Sequence, residues 1–141
     1  MHRRFARGNV FMGRLSKGDD LLEALRNKCR ELGVLQGEVR ALGAVASARI
    51  AYYDQSLRKY ETVDLSRPLE ILSLTGNVSV KNGEAFVHAH VVLGDHEGRA
   101  FGGHLVEGTE VFACEFVIEE LVTEEPLRRG MDEATGLFLW E

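Results

Sequence analysis

Two turn sequences on either side of an alternating segment restrict how the middle of this chain can fold. Asn82-Gly83 is typical of a two-residue type I′ hairpin loop. Asp95–Gly98 has the form of a three-residue hairpin loop, in which a type I turn is followed by a glycine that makes a bulge. The sequence therefore predicts a three-stranded antiparallel meander that begins at Leu69 and ends at Val106.

The length of the second loop decides which residues lie opposite one another. If Asp95 pairs with Arg99, then His90 lies directly opposite His104. His88 shares their face because side chains alternate along a strand, and directly opposed Cβ atoms are about 5 Å apart. A two-residue loop would instead place His104 on the other face.

The first turn gives an independent register, and together the two turns sort the meander into two faces. With Lys81 opposite Glu84, Asn77 lies beside His88 and Thr75 beside His90. The predicted core face is apolar and carries Leu72, Leu74, Val78, Val80, Val87, Ala89, Val91, Leu93, Phe101 and Leu105. The other face is polar and carries Ser73, Thr75, Asn77, Ser79, His88, His90, Gly102 and His104, flanked by Phe86, Val92 and Val106.

Three imidazoles on one face predict a metal site with His88, His90 and His104 as ligands, since Zn–N bonds are about 2.0–2.1 Å long. Zinc suits three neutral imidazoles best, with nickel, copper and iron as alternatives. Three protein ligands leave a fourth position open, as in catalytic zinc sites. Thr75 and Asn77 are expected to orient the rings through hydrogen bonds. The competing interpretation is a hydrogen-bonded polar face without an ion.

Composition and charge exclude several classes of function. A chain of 141 residues is expected to form one domain over residues 1–141. The formal net charge of −5 argues against binding nucleic acid through the overall field. We expect a cytoplasmic protein, because no apolar run approaches the roughly 20 residues of a membrane span and no secretory segment is evident. Cys29 and Cys114 are expected to be reduced and buried.

The flanking segments predict one helix and several further strands. The helix follows a capping box at Ser16 and Asp19 and ends at Gly33. The predicted strands cover Arg3–Arg14, Gly37–Asp54 with a bulge at Gly43, Arg58–Val63, and Glu110–Val122 with Phe112, Cys114, Phe116 and Ile118 on one face. The last residues have no clear periodicity, although they are too apolar for a free tail. The predicted fold class is α+β, with one main helix packed on a largely antiparallel β-sheet.

The chain also resembles a known family. It contains EILSLTGNVSV and then HAHVVLGDHEGRAFGGHLVEGTEVFACEFVIEEL. These segments resemble the plants-and-prokaryotes-conserved (PPC) domain, for which EILSLTG and the pattern HxH…GGHL…GT are specific. The similarity extends to GDDLLEAL, GEVRALGAVASARI and RRGMDEATGL and so covers nearly the whole chain.

The resemblance carries expectations of its own. It implies an α+β fold that assembles as a homotrimer. It also implies that His88, His90 and His104 correspond to a histidine cluster that binds zinc in some prokaryotic members. In plants the domain follows AT-hook motifs in nuclear DNA-binding proteins and mediates trimerisation and contacts with transcription factors. This chain contains no Arg-Gly-Arg-Pro core of an AT-hook.

Two functional hypotheses follow. The first is a small cytoplasmic homotrimer with a metal site that binds a small molecule or catalyses metal-assisted hydrolysis. Whether it is an enzyme stays open, because no general base is evident: the register places Glu107, the nearest carboxylate after His104, on the opposite face. The second is a DNA-associated regulatory or protein-interaction module. Binding of nucleic acid by the chain alone is not expected, nor is association with a membrane.

Overall fold

The computed structural model describes residues 2–141, which form nine strands and one helix. In chain order these are β1 (Ala6–Leu15), α1 (Leu21–Glu31), β2 (Gly37–Asp54), β3 (Lys59–Leu65), β4 (Leu69–Lys81), β5 (Glu84–Gly94), β6 (Ala100–Leu105), β7 (Glu110–Val122), β8 (Arg129–Asp132) and β9 (Leu137–Trp140). The predicted bounds of β2 and β7 are confirmed, and those of β1 and β3 are shifted by one to three residues.

Seven of the strands form one antiparallel sheet in the order β1-β7-β2-β4-β5-β6, with β3 paired to β2. The far half of β2 also pairs with β6, where Ile50 lies opposite Leu105 and Ala51 opposite His104. As a result, β2, β4, β5 and β6 form a closed ring of hydrogen-bonded strands. The remaining hairpin, β8–β9, is joined to the end of β4 by a bridge between Val80 and Arg128.

The predicted fold class is wrong. The chain is 63% strand and only 8% helix, so this is a β-rich fold rather than an α+β fold with a main helix packed on a sheet. The sequence has one clear apolar pattern with helical spacing, and the prediction treated this one helix as a main layer of the fold. The helix spans only 11 residues, and its buried side chains join one core with those of the strands: Leu21, Leu22, Leu25 and Cys29.

The helix begins four residues later than the predicted capping box implies, since a box with Ser16 as N-cap would make position 17 the first helical residue. Asp20 is the N-cap, and its side chain accepts a hydrogen bond from the backbone N–H of Glu23 at 3.0 Å. Asp19 instead accepts from the backbone N–H of Ser16 at 2.9 Å and closes the preceding turn. Gly33 follows the helix with φ +68°, as predicted for its C-terminal end. Within residues 2–141 no helix has the length and apolarity needed to cross a membrane.

Both hairpin loops have the predicted conformation. Asn82 and Gly83 have φ values of +54° and +84°, which a type I′ turn requires. In the second loop, the backbone N–H of Asp95 donates to the carbonyl of Arg99 at 3.0 Å, and Gly98 has φ +77°. The prediction of a three-residue loop with a glycine bulge is therefore confirmed, and β5 and β6 pair in the expected register.

The face assignment holds except where a strand contains an extra residue. Ile71 pairs with Leu93 and Ser73 with Val92, so Leu72 has no partner and is 52% exposed. The rest of the predicted core face is buried apart from Phe101, which is half-buried. Each bulge reverses the alternation on which the sequence assignment depended.

The same kind of bulge moves one residue of β7 out of the predicted face. Ala44 pairs with Ala113 and Val45 with Val111, which leaves Phe112 unpaired and 53% exposed. The other members of that predicted face, Cys114, Phe116 and Ile118, are buried. Both cysteines are free and buried, as expected.

Candidate metal centre

The three histidines predicted as metal ligands lie together on neighbouring strands. His90 is directly opposite His104, and His88 is two residues away on the same face of β5. The ring centroids are 5.3 Å apart for His88 and His90, 4.9 Å for His88 and His104, and 5.5 Å for His90 and His104. One nitrogen from each ring lies within 4.8 Å of the other two.

The surroundings favour neutral imidazoles. His88 and His104 are half-buried, whereas His90 is exposed. Burial lowers the pKa of His88 to about 4, and the positive charge of Arg129 acts in the same direction. The pKa of His104 is also lowered to about 4, by burial and then by the neighbouring histidines and Arg129. At neutral pH both rings therefore have the uncharged form that metal binding requires.

One nitrogen of the cluster is left without a partner. Nδ1 of His104 is buried and has no hydrogen-bond partner within residues 2–141. Leaving such a buried polar atom unsatisfied costs about 1–3 kcal/mol. An unpartnered nitrogen on one of three converging imidazoles is consistent with a ligand at the cluster, and a set of neutral imidazoles fits a transition metal.

The rings are supported differently from the prediction. Thr75 and Asn77 do lie beside His90 and His88 in the register. However, the side-chain oxygen of Asn77 accepts a hydrogen bond from Arg129 Nη2 at 2.7 Å. It is Tyr60 of β3 that packs on the cluster, with its ring stacked on His104 at a centroid distance of 4.9 Å and an interplanar angle of 26°.

Arg129 is a neighbour of the site that the sequence did not reveal. Its Nε donates to Ser79 Oγ at 2.7 Å, and its Nη1 donates to the carbonyl of Phe138 at 2.9 Å. The β8–β9 hairpin carries this arginine to the polar face of β4. Nothing in the periodicity of the last residues predicted the hairpin, and only the RRGMDEATGL segment of the family resemblance pointed to this region. Tyr60 was missed because its strand is short and exposed.

Two clefts adjoin the cluster, and His104 and Phe86 line both. The first has a volume of about 300 Å³ and is lined by Tyr60, Lys81, Phe86, His88, His104, Arg129 and residues 136–139. The second, of about 310 Å³, is lined by Leu22, Arg26, Arg49, Thr62, Phe86, Val87 and residues 104–107. Pockets of this size can hold a small molecule or part of one.

The first carboxylate that follows His104 in the sequence takes part in an ion pair. Glu107 accepts a hydrogen bond from Arg26 Nη1 at 2.7 Å in an ion pair. The cleft beside Tyr60 contains no aspartate or glutamate among its lining residues. No general base is assigned, and the catalytic residues stay unidentified.

Fold and site together define a small β-rich protein with a candidate three-histidine metal centre. Residues 2–122 match the family model of the Plants and Prokaryotes Conserved (PCC) domain. The chain belongs to this family, as the motifs of the meander had suggested.

Solved structures agree with this assignment. A metal-containing protein of Archaeoglobus fulgidus is 46% identical, with a TM-score of 0.93 over 98% of this chain and 96% of its own. A plant- and prokaryote-conserved (PPC) protein of Pyrococcus horikoshii is 38% identical, with a TM-score of 0.94 over 100% of this chain and 96% of its own. A candidate DNA-binding protein of Bacteroides thetaiotaomicron is 26% identical, with a TM-score of 0.87 over 97% and 96%.

Among curated proteins, the chain is similar to part of a larger one. It is 32% identical over 128 residues to the bifunctional protein GlmU of Synechococcus sp. (strain JA-3-3Ab). The match covers 90% of this chain and 19% of that protein, so the chain spans about a fifth of the curated relative's length.

Proposed function

We propose that His88, His90 and His104 hold a transition metal, zinc in the first instance, and that the protein presents the remaining coordination position to a small ligand. The observation that carries this proposal is the convergence of one nitrogen from each of the three imidazoles to within 4.8 Å. The similarity to a metal-containing protein at 46% identity supports it.

The chain's own residues would position such a ligand. Zinc, when bound, acts as a Lewis acid toward a group at its open position. Stacking of Tyr60 on His104 restricts the plane of that ring, and the aromatic and aliphatic side chains of residues 137–139 line the cleft beside the cluster. This arrangement supports ligand binding, and it contains no group that we assign to catalysis.

Self-assembly as a homotrimer is part of the proposal. The face of the sheet that carries His90 and Thr75 continues into an open, partly apolar surface with Met12, Leu42 and Val92 exposed. A large exposed apolar patch is typical of an interface. A shallow cleft of about 700 Å³ between β1, β7, β2 and β4 lies on this surface.

The metal proposal is tested on protein purified without a histidine tag. We expect about one metal ion per chain by elemental analysis, and calorimetric titration of the metal-free protein with zinc measures the affinity. His104→Gln should weaken zinc binding by more than about a hundredfold. Substituting a residue that only orients a metal ligand already lowers metal affinity by about 10- to 100-fold, and loss of a ligand should cost more. His96→Gln is the matched control, since His96 is an exposed loop residue outside the cluster. Equal zinc affinity in the wild type and the His104 variant would refute the proposal.

A second candidate function is a DNA-associated regulatory module. The similarity to a candidate DNA-binding protein at 26% identity favours it. The two functions differ in what the isolated chain binds, so measurements of its affinity for zinc and for duplex DNA separate them.

A further inference from the structure

Two cations beside the histidine cluster lack an acidic partner. Most arginines near the two clefts pair with carboxylates: Arg26 with Glu107 and Arg49 with Asp64. Arg129 and Lys81 form no ion pair with a carboxylate anywhere in residues 2–141. The three hydrogen bonds of Arg129 all go to neutral oxygens, those of Ser79, Asn77 and Phe138.

These cations also lie close to one another. Arg129 Cζ is 5.3 Å and Lys81 Nζ is 5.1 Å from the centroid of the Phe86 ring, and Arg26 Cζ is 5.8 Å from it. The pKa of Lys81 is lowered by burial and then by the charges of Arg129 and Arg26. Such a concentration of like charge is costly unless an anion accompanies it.

The metal proposed for the neighbouring histidines makes this imbalance larger. Three neutral imidazoles bring no negative charge, and a divalent ion would add two positive charges beside Arg129 and Lys81. No acidic side chain lines the cleft that the histidines share with these two residues. The cleft therefore has a net positive charge, which a negative group from outside the described residues would balance.

We propose that the cleft between the histidine cluster and the β8–β9 hairpin binds a small organic oxyanion, a carboxylate or a phosphate monoester, through Arg129 and Lys81. The inference deepens the proposed function and rests on it for the metal that would face the same anion. Arg129 keeps two of its five N–H donors free, so it can bind an oxyanion without giving up the bonds that hold it in place.

The rest of the cleft indicates an apolar body for the ligand. Tyr60, Leu137, Phe138 and Leu139 line its walls, and its volume of about 300 Å³ admits a group about the size of a substituted benzene ring. This cleft would therefore recognise a ligand with an anionic head group next to the cations and an apolar body against these walls.

The experiment uses tag-free protein, metal-free and zinc-loaded, titrated by calorimetry with benzoate, with phenyl phosphate and with neutral benzyl alcohol. We expect at least one of the two anions to bind and benzyl alcohol to bind at least about tenfold more weakly. The preferred head group is the anion with the higher affinity. Zinc should tighten anion binding, and the anion should tighten zinc binding by the same factor, because the coupling is reciprocal.

Variants assign the binding to the two cations. Arg129→Gln should lower the affinity for the anion by about tenfold or more, the loss expected for a charge-assisted hydrogen bond. Lys81→Gln should lower it as well. It leaves the hydrogen bonds that hold Arg129 in place and removes the contact of Lys81 Nζ with the Phe138 ring, 3.6 Å from the ring centroid. Arg14→Gln, an exposed arginine of β1, is the matched control and should leave the affinity unchanged.

The outcomes separate this inference from the proposed function. If zinc binds but neither anion binds, or if both cation variants bind as tightly as the wild type, the oxyanion site is wrong and the metal site stands. If zinc does not bind, the metal proposal fails, and the titrations of the metal-free protein still decide the oxyanion site. Equal binding of benzyl alcohol would also overturn the inference.

Discussion

The half-buried imidazoles of His88 and His104 make the stability of the metal-free protein depend on pH. Their pKa values are lowered from 6.5 to about 4, chiefly by burial. As pH falls below 6.5, the unfolded chain takes up protons on these rings while the folded chain does not, until pH approaches 4. Protons bound preferentially by the unfolded state reduce stability. The free energy of unfolding should therefore fall as pH decreases from about 6.5 to about 4.

Urea unfolding in the presence of a chelator, at a series of pH values, measures this dependence. The double variant His88→Asn/His104→Asn should show a shallower fall in the free energy of unfolding over the same interval. His96→Asn, in an exposed loop, should behave like the wild type. Equal slopes for the double variant and the wild type would show that the two imidazoles are not responsible.

At the scale of the elements, two glycines with positive φ differ in how closely a neighbouring strand approaches them. Gly43 in the bulge of β2 has φ +143°, and a Cβ there would lie 2.1 Å from the carbonyl oxygen of Ala113. Gly98 in the loop between β5 and β6 has φ +77°, and no atom lies within 4 Å of a Cβ built there. Gly98→Ala should cost about 1 kcal/mol from strain alone. Gly43→Ala combines a positive φ that residues other than glycine rarely adopt with a collision with the neighbouring strand, and it should cost about 3 kcal/mol or more.

Urea unfolding of both variants at neutral pH measures the two costs. Gly98→Ala is the control for strain, because its surroundings are open. If both substitutions destabilise the protein equally, close approach of β7 to β2 is not what requires glycine at position 43.

The elements that the sequence predicts well are those fixed by local chemistry. Asn82-Gly83 and Asp95–Gly98 determine the turn type from their own residues, and the registers that place His88, His90 and His104 together follow from them. That the histidines of the candidate site converge could therefore be predicted. Their binding of a metal stays a prediction, because no local rule links three imidazoles to an ion.

Other features depend on contacts between distant segments. Leu72 was assigned to the core face, and Phe112 to one face with Cys114, because a bulge in a long strand leaves no mark in the alternation itself. The β8–β9 hairpin is placed by a bridge to β4 and by the hydrogen bonds of Arg129, which no pattern within residues 129–140 encodes. The pairing of β6 with β2 is likewise a contact between distant segments. Because the sequence does not reveal this pairing, an open sheet with a helix packed on it was expected instead of a closed ring of strands.

For the whole molecule, the charge distribution predicts weak affinity for duplex DNA. The net charge is −5. Of Arg3, Arg4, Arg7 and Arg14 near the N-terminus, Arg7 pairs with Glu119, a carboxylate that also lies 3.9 Å from Arg40. Because non-specific binding to DNA depends on unpaired basic side chains, we expect little binding of a labelled duplex at physiological salt, as measured by fluorescence anisotropy.

A salt series and one variant make the DNA experiment decisive. Tight binding that weakens steeply with added salt, and that is lost in the variant Arg3→Gln/Arg4→Gln, would favour the DNA-associated module. Arg58→Gln, an exposed arginine at the end of the β2–β3 loop, is the control for a general loss of charge.

The open face of the sheet predicts the assembly state. Met12 is 80% exposed and Leu42 is 59% exposed on this face, which continues to His90 through Thr75. A cyclic trimer would cover it by repeating one contact until the ring closes, and light scattering should give three times the chain mass of 15.7 kDa. The variant Met12→Glu/Leu42→Glu should dissociate to monomers, because it buries charge in the contact. Leu57→Glu, at an equally exposed leucine outside this face, should leave the mass unchanged. A wild-type mass near that of one chain at all concentrations would show that the trimer is wrong and that the open face is not a self-contact.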